Sequence, residues 1–181
     1  KSAKHPEAPS LKVEVDRFGK VGAKERVGKS YSYSNAGFNT LGAVIEVTSG
    51  KPLESYLKQS IYRPLGMKDS YHHEVAGKLD GKLKRMSVVY YQRDGKWIQG
   101  WKPGQPPKYP FVRASGGMIS TAMDYAVFCQ MYLNGGIYEG KRILNNETIK
   151  LITTPHIASL YSPAEKEEQK YFYGYGWRVY P

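Results

Sequence analysis

Hydrophobic positions recur at helical spacing in some stretches of the chain and alternate in others. Phe38, Leu41, Ile45 and Thr48 fall at three- and four-residue steps, which predicts a helix with one buried stripe. Ser34 or Asn35 supplies a capping oxygen at its start, and Gly50 stops it. Pro52 suits the first turn of a second helix, with Leu53, Tyr56, Leu57 and Ile61 as its buried face and Arg63-Pro64 as its end. "PLGMKDS" then reads as a tight turn. A third helix starts near Thr121, where Thr121 and Asp124 resemble a capping box. Ala122, Val127, Phe128 and Met131 follow, and Gly135-Gly136 closes it. A fourth runs from about Asn146 to Ile152, capped by Asn145 or Asn146 and blocked by Pro155.

Leu11, Val13 and Val15 alternate in "LKVEVDRF", which predicts a short strand within an otherwise loop-like first 28 residues. "RMSVVYYQRDGKWIQGW" reads as a β-hairpin turning at Asp94-Gly95. "KPGQPPKYP" is a surface loop, "ASGGMIS" a glycine-bearing approach to the third helix, and "SPAEKEEQK" a charged loop. "YFYGYGWRVY", 171–180, is a glycine-broken aromatic strand. The pattern predicts an α+β, mainly helical fold.

A hydrophobic content of 40% over 181 residues suits one domain and excludes global disorder. No apolar run approaches the roughly 18 residues of a membrane helix. The single Cys129 lies in the apolar run "YAVFCQMYL" and reads as a buried thiol. "YHHE" (His72, His73, Glu74) has no second cluster at ligand spacing, so no metal and no cofactor are expected. The net charge of +11 favours anionic partners. The basic residues are scattered, however, and the densest group, "GKLDGKLKR" at 77–85, contains an acid and two glycines. Solvated loops are expected there, not a nucleic-acid surface. The first residue is Lys1 and no charged-then-apolar leader follows, so a mature, trimmed or partial chain is expected.

"YSYSN", residues 31–35, raises the question of chemistry. Positions two apart on an extended segment face one way, so Tyr33 and Asn35 point to one side. The run "YSYSNAGFNTLGAVIEVTSGKPLESYLKQSIYRPLGMKDS" closely resembles the central part of serine β-lactamase-related proteins: class C β-lactamases, D-alanyl-D-alanine peptidases and related esterases. "ASGGMISTAMDYAVFCQMYLNGG", "GKRILNNETIKLITTP" and "YGYGW" resemble its later segments in the right order, so the likeness covers about 27–177. In that family Ser-x-x-Lys, Tyr-x-Asn and a Lys- or His-x-Gly strand meet in one cleft. A serine hydroxyl needs a neighbouring base to attack a carbonyl, a tyrosine relays protons when nearby cations lower its pKa, and an amide holds lysine and substrate. The resemblance implies that Tyr33 is the proton relay and Asn35 the substrate-positioning amide. Ser115, Gly116 and Gly117 would line the cleft, although a tight turn before a helix accounts for them equally well.

Two elements do not match. None of the 32 residues before Tyr33 form Ser-x-x-Lys, and the formal match, Ser55 to Lys58, falls off the apolar face of the second helix. Lys20-Val-Gly22 and Lys102-Pro-Gly104 stand in the wrong order for the third element, and His156 lacks the following glycine pattern. The expectation is therefore one partial domain over 1–181: the helical region of a β-lactamase/transpeptidase-like fold with a hairpin and a C-terminal strand. The nucleophile-bearing part and closing strands would be absent, and the isolated chain inactive. The parent enzyme would transfer acyl groups from a β-lactam, peptidoglycan peptide or ester. The alternative is a non-catalytic module binding an anionic cell-wall polymer. A periplasmic or extracellular bacterial location, no nucleic-acid partner, and a homodimer through the free edge of the terminal strand complete the expectations.

Overall fold

The computed structural model describes residues 8–23, 25–78 and 81–180. Leu79 and Asp80, within the basic 77–85 stretch, lie outside them. The structure has the expected α+β, mainly helical character.

The first element overturns an expectation. Leu11–Val21 is a helix, α1, not a strand. Leu11, Val15 and Phe18 lie four and three residues apart, so the segment that alternates also satisfies helical spacing. Ser10 decides the matter locally by accepting the Val13 N–H. Helix α2, Asn35–Ser49, starts on Ser34 and ends at Gly50, whose φ of 66° is left-handed. Its expected stripe is only partly right. Asn39, Gly42 and Ala43 are buried, whereas Leu41 is 60% exposed. The reason is close approach. A Cβ on Gly42 would stand 2.8 Å from the Ala114 Cβ, 3.1 Å from Leu11 and 3.2 Å from Leu53. The helix therefore packs through its small residues, where neighbouring chain comes nearest.

Helix α3, Leu53–Leu57, follows Pro52, and the Glu46 carboxylate of α2 accepts the Leu53 N–H at 2.9 Å. Its continuation over Lys58–Tyr62 is one π-helical turn. Wider winding there brings Tyr62 to the core, while Ile61 is half-buried. Leu11, Ala43 and Leu53 form one buried cluster; Tyr62, Leu65, Met67, Met131 and Ile149 form another, and Leu57 packs against both.

Strand β1, Tyr71–His72, pairs antiparallel with β4, Met118–Ile119, tying the segment after α3 to the approach of α4. Between them β2, Tyr90–Arg93, and β3, Lys96–Gln99, form the expected hairpin. Asp94 and Gly95 both have positive φ, 50° and 73°, which a two-residue primed turn requires. Helix α4, Ala122–Leu133, is capped by the Thr121 side chain. The capping box is not completed: Asp124 Oδ2 accepts the Asp69 N–H and the Ser70 hydroxyl, each at 2.8 Å. Strands β5, Ile137–Tyr138, and β6, Lys141–Arg142, make a short hairpin before α5, Asn146–Thr153, which Asn145 caps. The "charged loop" holds a helix, α6, Pro163–Glu168, with a complete Ser162–Glu165 capping box and Pro163 in the first turn.

The terminal segment is a hairpin rather than one strand. β7, Phe172–Tyr173, pairs with β8, Arg178–Val179. The Tyr175 N–H donates to the Ile152 carbonyl at 2.9 Å, and a Cβ on Gly174 would lie 2.3 Å from that same oxygen. The glycines thus let the chain fold back onto the end of α5. The strand on which a dimer was expected is thus two short strands, each paired on one edge and, among the described residues, without a strand partner on the other.

Candidate functional site

Ser34 and Asn35 compete on paper for the cap of α2, and the structure assigns it to Ser34. Its Oγ accepts the Gly37 N–H at 3.0 Å. Asn35 is the first helical residue, and its exposed amide is left free of capping. Tyr33, one step before the extended Ser34 cap, is 57% exposed. Its ring lies 5.5 Å from Phe38 and 6.2 Å, edge-on, from Tyr173. Tyr31 stands 5.4 Å from Tyr173. These rings surround a cavity of ≈ 360 Å³ that reaches Gly37 and Leu41 on α2. Asn35 is not part of its lining. Partial burial, then neighbouring phenols, pushes the Tyr31 and Tyr173 hydroxyls above the usual tyrosine range.

Ser115, Gly116 and Gly117 do not line that cavity; they meet α2 further along. The Ser115 N–H donates to Asn39 Oδ1 at 3.0 Å. Asn39 follows Asn35 by one helical turn, so the segment lies along the same side of α2. Gly117 has a φ of 87°, its carbonyl accepts the His73 N–H at 2.6 Å, and a Cβ there would meet the Glu74 carboxylate at 2.7 Å. Glu74 is nearly sealed, with its side chain 2% exposed, and Arg113 Nε donates to it at 3.1 Å. The turn is therefore held from both sides: by Asn39 at Ser115, and by His73 and Glu74 at Gly117.

Sequence reasoning missed Asn39 and Tyr173, and weighed Glu74 only as a metal ligand. For Asn39 a signal exists: a mid-helix asparagine among small apolar residues has poor propensity and needs a partner. For Tyr173 the aromatic run carried the hint, but its meeting with Tyr31 and Tyr33 is long-range.

The formal motif matches have other surroundings. Ser55 and Lys58 flank the passage from α3 into the π-turn, and among the described residues no side-chain hydrogen bond joins them. Lys20 to Gly22 ends α1, and Lys102 to Gly104 lies in a turn. His156 Nε2 sits 2.7 Å from the Leu151 carbonyl, with its ring stacked 4.2 Å from Tyr175. Of the YHHE group, His72 is buried against Glu54, Nδ1 to Oε2 2.6 Å, while His73 stands edge-on to Trp101.

Residues 4–181 match the family model described as Beta-lactamase. A protein of Escherichia coli K12, provisionally named D-alanyl-D-alanine carboxypeptidase, is 29% identical over 164 residues, 84% of this chain and 35% of its own length. An N-acetylmuramyl-L-alanine amidase of Bacillus subtilis is 28% identical over 78% of this chain and 35% of its own. Among solved structures, the octameric penicillin-binding protein homologue of Pyrococcus abyssi superposes with a TM-score of 0.72 at 26% identity, over 98% of this chain and 36% of that one. The chain spans about a third of the length of the curated relatives it matches. By that match, and by the fold it shares with penicillin-binding proteins, the chain belongs to the beta-lactamase family of serine hydrolases.

Proposed function

We propose that these residues are the Tyr-x-Asn-bearing part of a periplasmic or extracellular acyl-transfer hydrolase acting on a peptidoglycan-type peptide or a related amide, lactam or ester. Tyr33 is its proton relay, Asn35 its substrate-positioning amide, and the Ser115–Gly117 turn a wall of the cleft. The observation that carries this reading is the division of labour at the start of α2. Ser34 takes the cap, leaving the exposed Asn35 amide and the half-exposed Tyr33 phenol available. Relatives named for D-alanyl-D-alanine and N-acetylmuramyl-L-alanine bonds supply the substrate class. Ser55 is not the nucleophile in this reading. Without a nucleophile and its base, a concerted site retains only binding and electrostatic effects, so the 181 residues alone do not turn over.

The test is intact-mass measurement after incubation with a penicillin. The 181-residue chain stays unmodified, whereas the product of the complete open reading frame gains one acyl group. In that product Tyr33→Phe slows turnover by about 10²- to 10⁴-fold, the usual worth of a positioned acid–base group. A stoichiometric adduct on the short chain, or an inert complete product, overturns the reading.

A further inference from the structure

A second cavity opens beyond the Ser115–Gly117 turn. Its volume is ≈ 500 Å³, within the range that holds small organic ligands. Gly117 lines it, whereas Asn39 on α2 holds Ser115. One wall is apolar: Tyr71, Val89, Trp101, Met118 and Ile119. Trp101 is held edge-on by His73, with ring centres 4.4 Å apart, which fixes a flat surface. Val89 and Met118 are 50% and 47% exposed, so this apolar surface is uncovered.

Another part of the lining is charged. Lys82 and Arg85 both belong to it, and both bind Asp69. The Arg85 hydrogen bond holds the Asp69 carboxyl below its usual range, so it stays ionised near neutral pH. Two cations against one carboxylate leave a surplus of one positive charge. Among the described residues, Arg85 reaches Asp69 through Nη1 alone, at 2.9 and 3.0 Å. A guanidinium has five donors in a planar fork, so its Nε and Nη2 groups remain for a second acceptor.

We propose that this cavity is a second binding site, for a small monocarboxylate with an apolar side chain, of which an N-acylated aromatic amino acid is the representative. Its carboxylate takes the free edge of Arg85 with Lys82 beside it, and its apolar side chain lies on Trp101 and Met118. A single surplus charge matches a monocarboxylate and leaves a polyanion uncompensated. This assignment goes beyond the acyl-transfer reading and does not depend on it.

The probe is N-acetylphenylalanine, titrated into the 181-residue chain with its methyl ester as the uncharged control. The readout is the Trp101 indole N–H resonance, assigned with Trp101→Phe. The acid moves that resonance to saturation at about millimolar concentration or below. The ester, and Arg85→Gln with the free acid, bind about 10- to 100-fold more weakly, the worth of a hydrogen bond to a charged group. Thermal melting verifies that Arg85→Gln is folded, and Lys82→Gln replaces it if not. A resonance unmoved at about 20 mM acid, equal binding of acid and ester, or undiminished binding by the folded variant overturns the proposal. The readout needs no turnover, so its failure leaves the acyl-transfer reading standing, and the reverse holds too.

Discussion

Asn39→Ala removes the one side chain that, among the described residues, fastens the Ser115 backbone to α2. The amide is 6% exposed and its Oδ1 accepts the Ser115 N–H at 3.0 Å. Deletion leaves that N–H unpaired in a partly buried place, a cost of about 1–3 kcal/mol. Alanine is the better helix former by about 0.6 kcal/mol, which offsets part of the loss. The net destabilisation is about 1–2 kcal/mol, and for a chain of this size each kcal/mol lowers Tm by about 2–4 °C. Melting alone does not locate the effect, so hydrogen exchange at the Ser115 amide is measured as well. Protection there falls by about 5- to 30-fold, the factor that one or two kcal/mol represents. Thr40→Ala serves as the control. Thr40 is exposed on the same helix and, among the described residues, its hydroxyl bonds to the Ala36 carbonyl alone, so its change stays within about 0.5 kcal/mol. If Asn39→Ala melts like wild type with Ser115 equally protected, the turn is held by something else and the account of the site is wrong.

The Glu74–Arg113 pair predicts an asymmetry. Glu74 is sealed while Arg113 is 22% exposed, and its guanidinium lies over the Tyr109 ring, 4.2 Å from the centroid. Arg113→Met strands a buried carboxylate and costs about 3–5 kcal/mol, whereas Glu74→Gln leaves a partly solvated cation and costs less. Urea denaturation that returned the reverse order would refute the burial argument. Acid stability tests Asp69. Its carboxyl is held below the ordinary value by Arg85 and then by Lys82, so the native state binds its proton more weakly than the unfolded chain. The stabilisation is therefore full above the ordinary carboxylate range, about pH 4, and disappears as pH falls through the lower native value. Asp69→Asn flattens that part of the pH–stability curve; curves that run parallel from about pH 5 down to the acid limit would show that the pairing contributes nothing.

What was legible in the sequence was chemistry that acts within one turn of chain. Ser34, Thr121 and Asn145 each accept an N–H three residues on, and Asp94-Gly95 sets its own hairpin. Such features carry their partners in the same few letters. Two misreadings were local as well, because the letters permit two answers. Leu11, Val13 and Val15 alternate, yet Leu11 and Val15 also share a helix face, and Ser10 tips the balance. In "SPAEKEE" the charge content outweighed a capping box that was fully spelled out. The π-turn at Lys58–Tyr62 was hidden for a different reason. Ile61 fits the helical period better than Tyr62, and only the second core cluster favours the extra residue.

The candidate site divides along the same line, and that division explains how far a motif reading reaches. Tyr33 and Asn35 stand out because the roles proposed for them depend on neighbouring chain: one step before a cap, then the first residue of a helix. The parts that fix the site in space do not. Asn39 to Ser115 spans 76 positions and Glu74 to Arg113 spans 39, and each joins polar residues with innocuous neighbours. Pairings of that kind are selected by burial, since an unpaired polar group there costs more than the hydrogen bond returns. Gly117 shows the same constraint from the backbone side. Its positive φ alone would permit a turn in many places, but the Glu74 oxygens at 2.7 and 2.8 Å from a would-be Cβ leave room for no side chain. The glycines read from sequence as a glycine-bearing approach to a helix sit, in the fold, in a turn that Glu74 crowds at Gly117 and Asn39 of α2 holds at Ser115. The turn is thus held by crowding and hydrogen bonds on both sides, which is the support that the proposed role as a cleft wall requires.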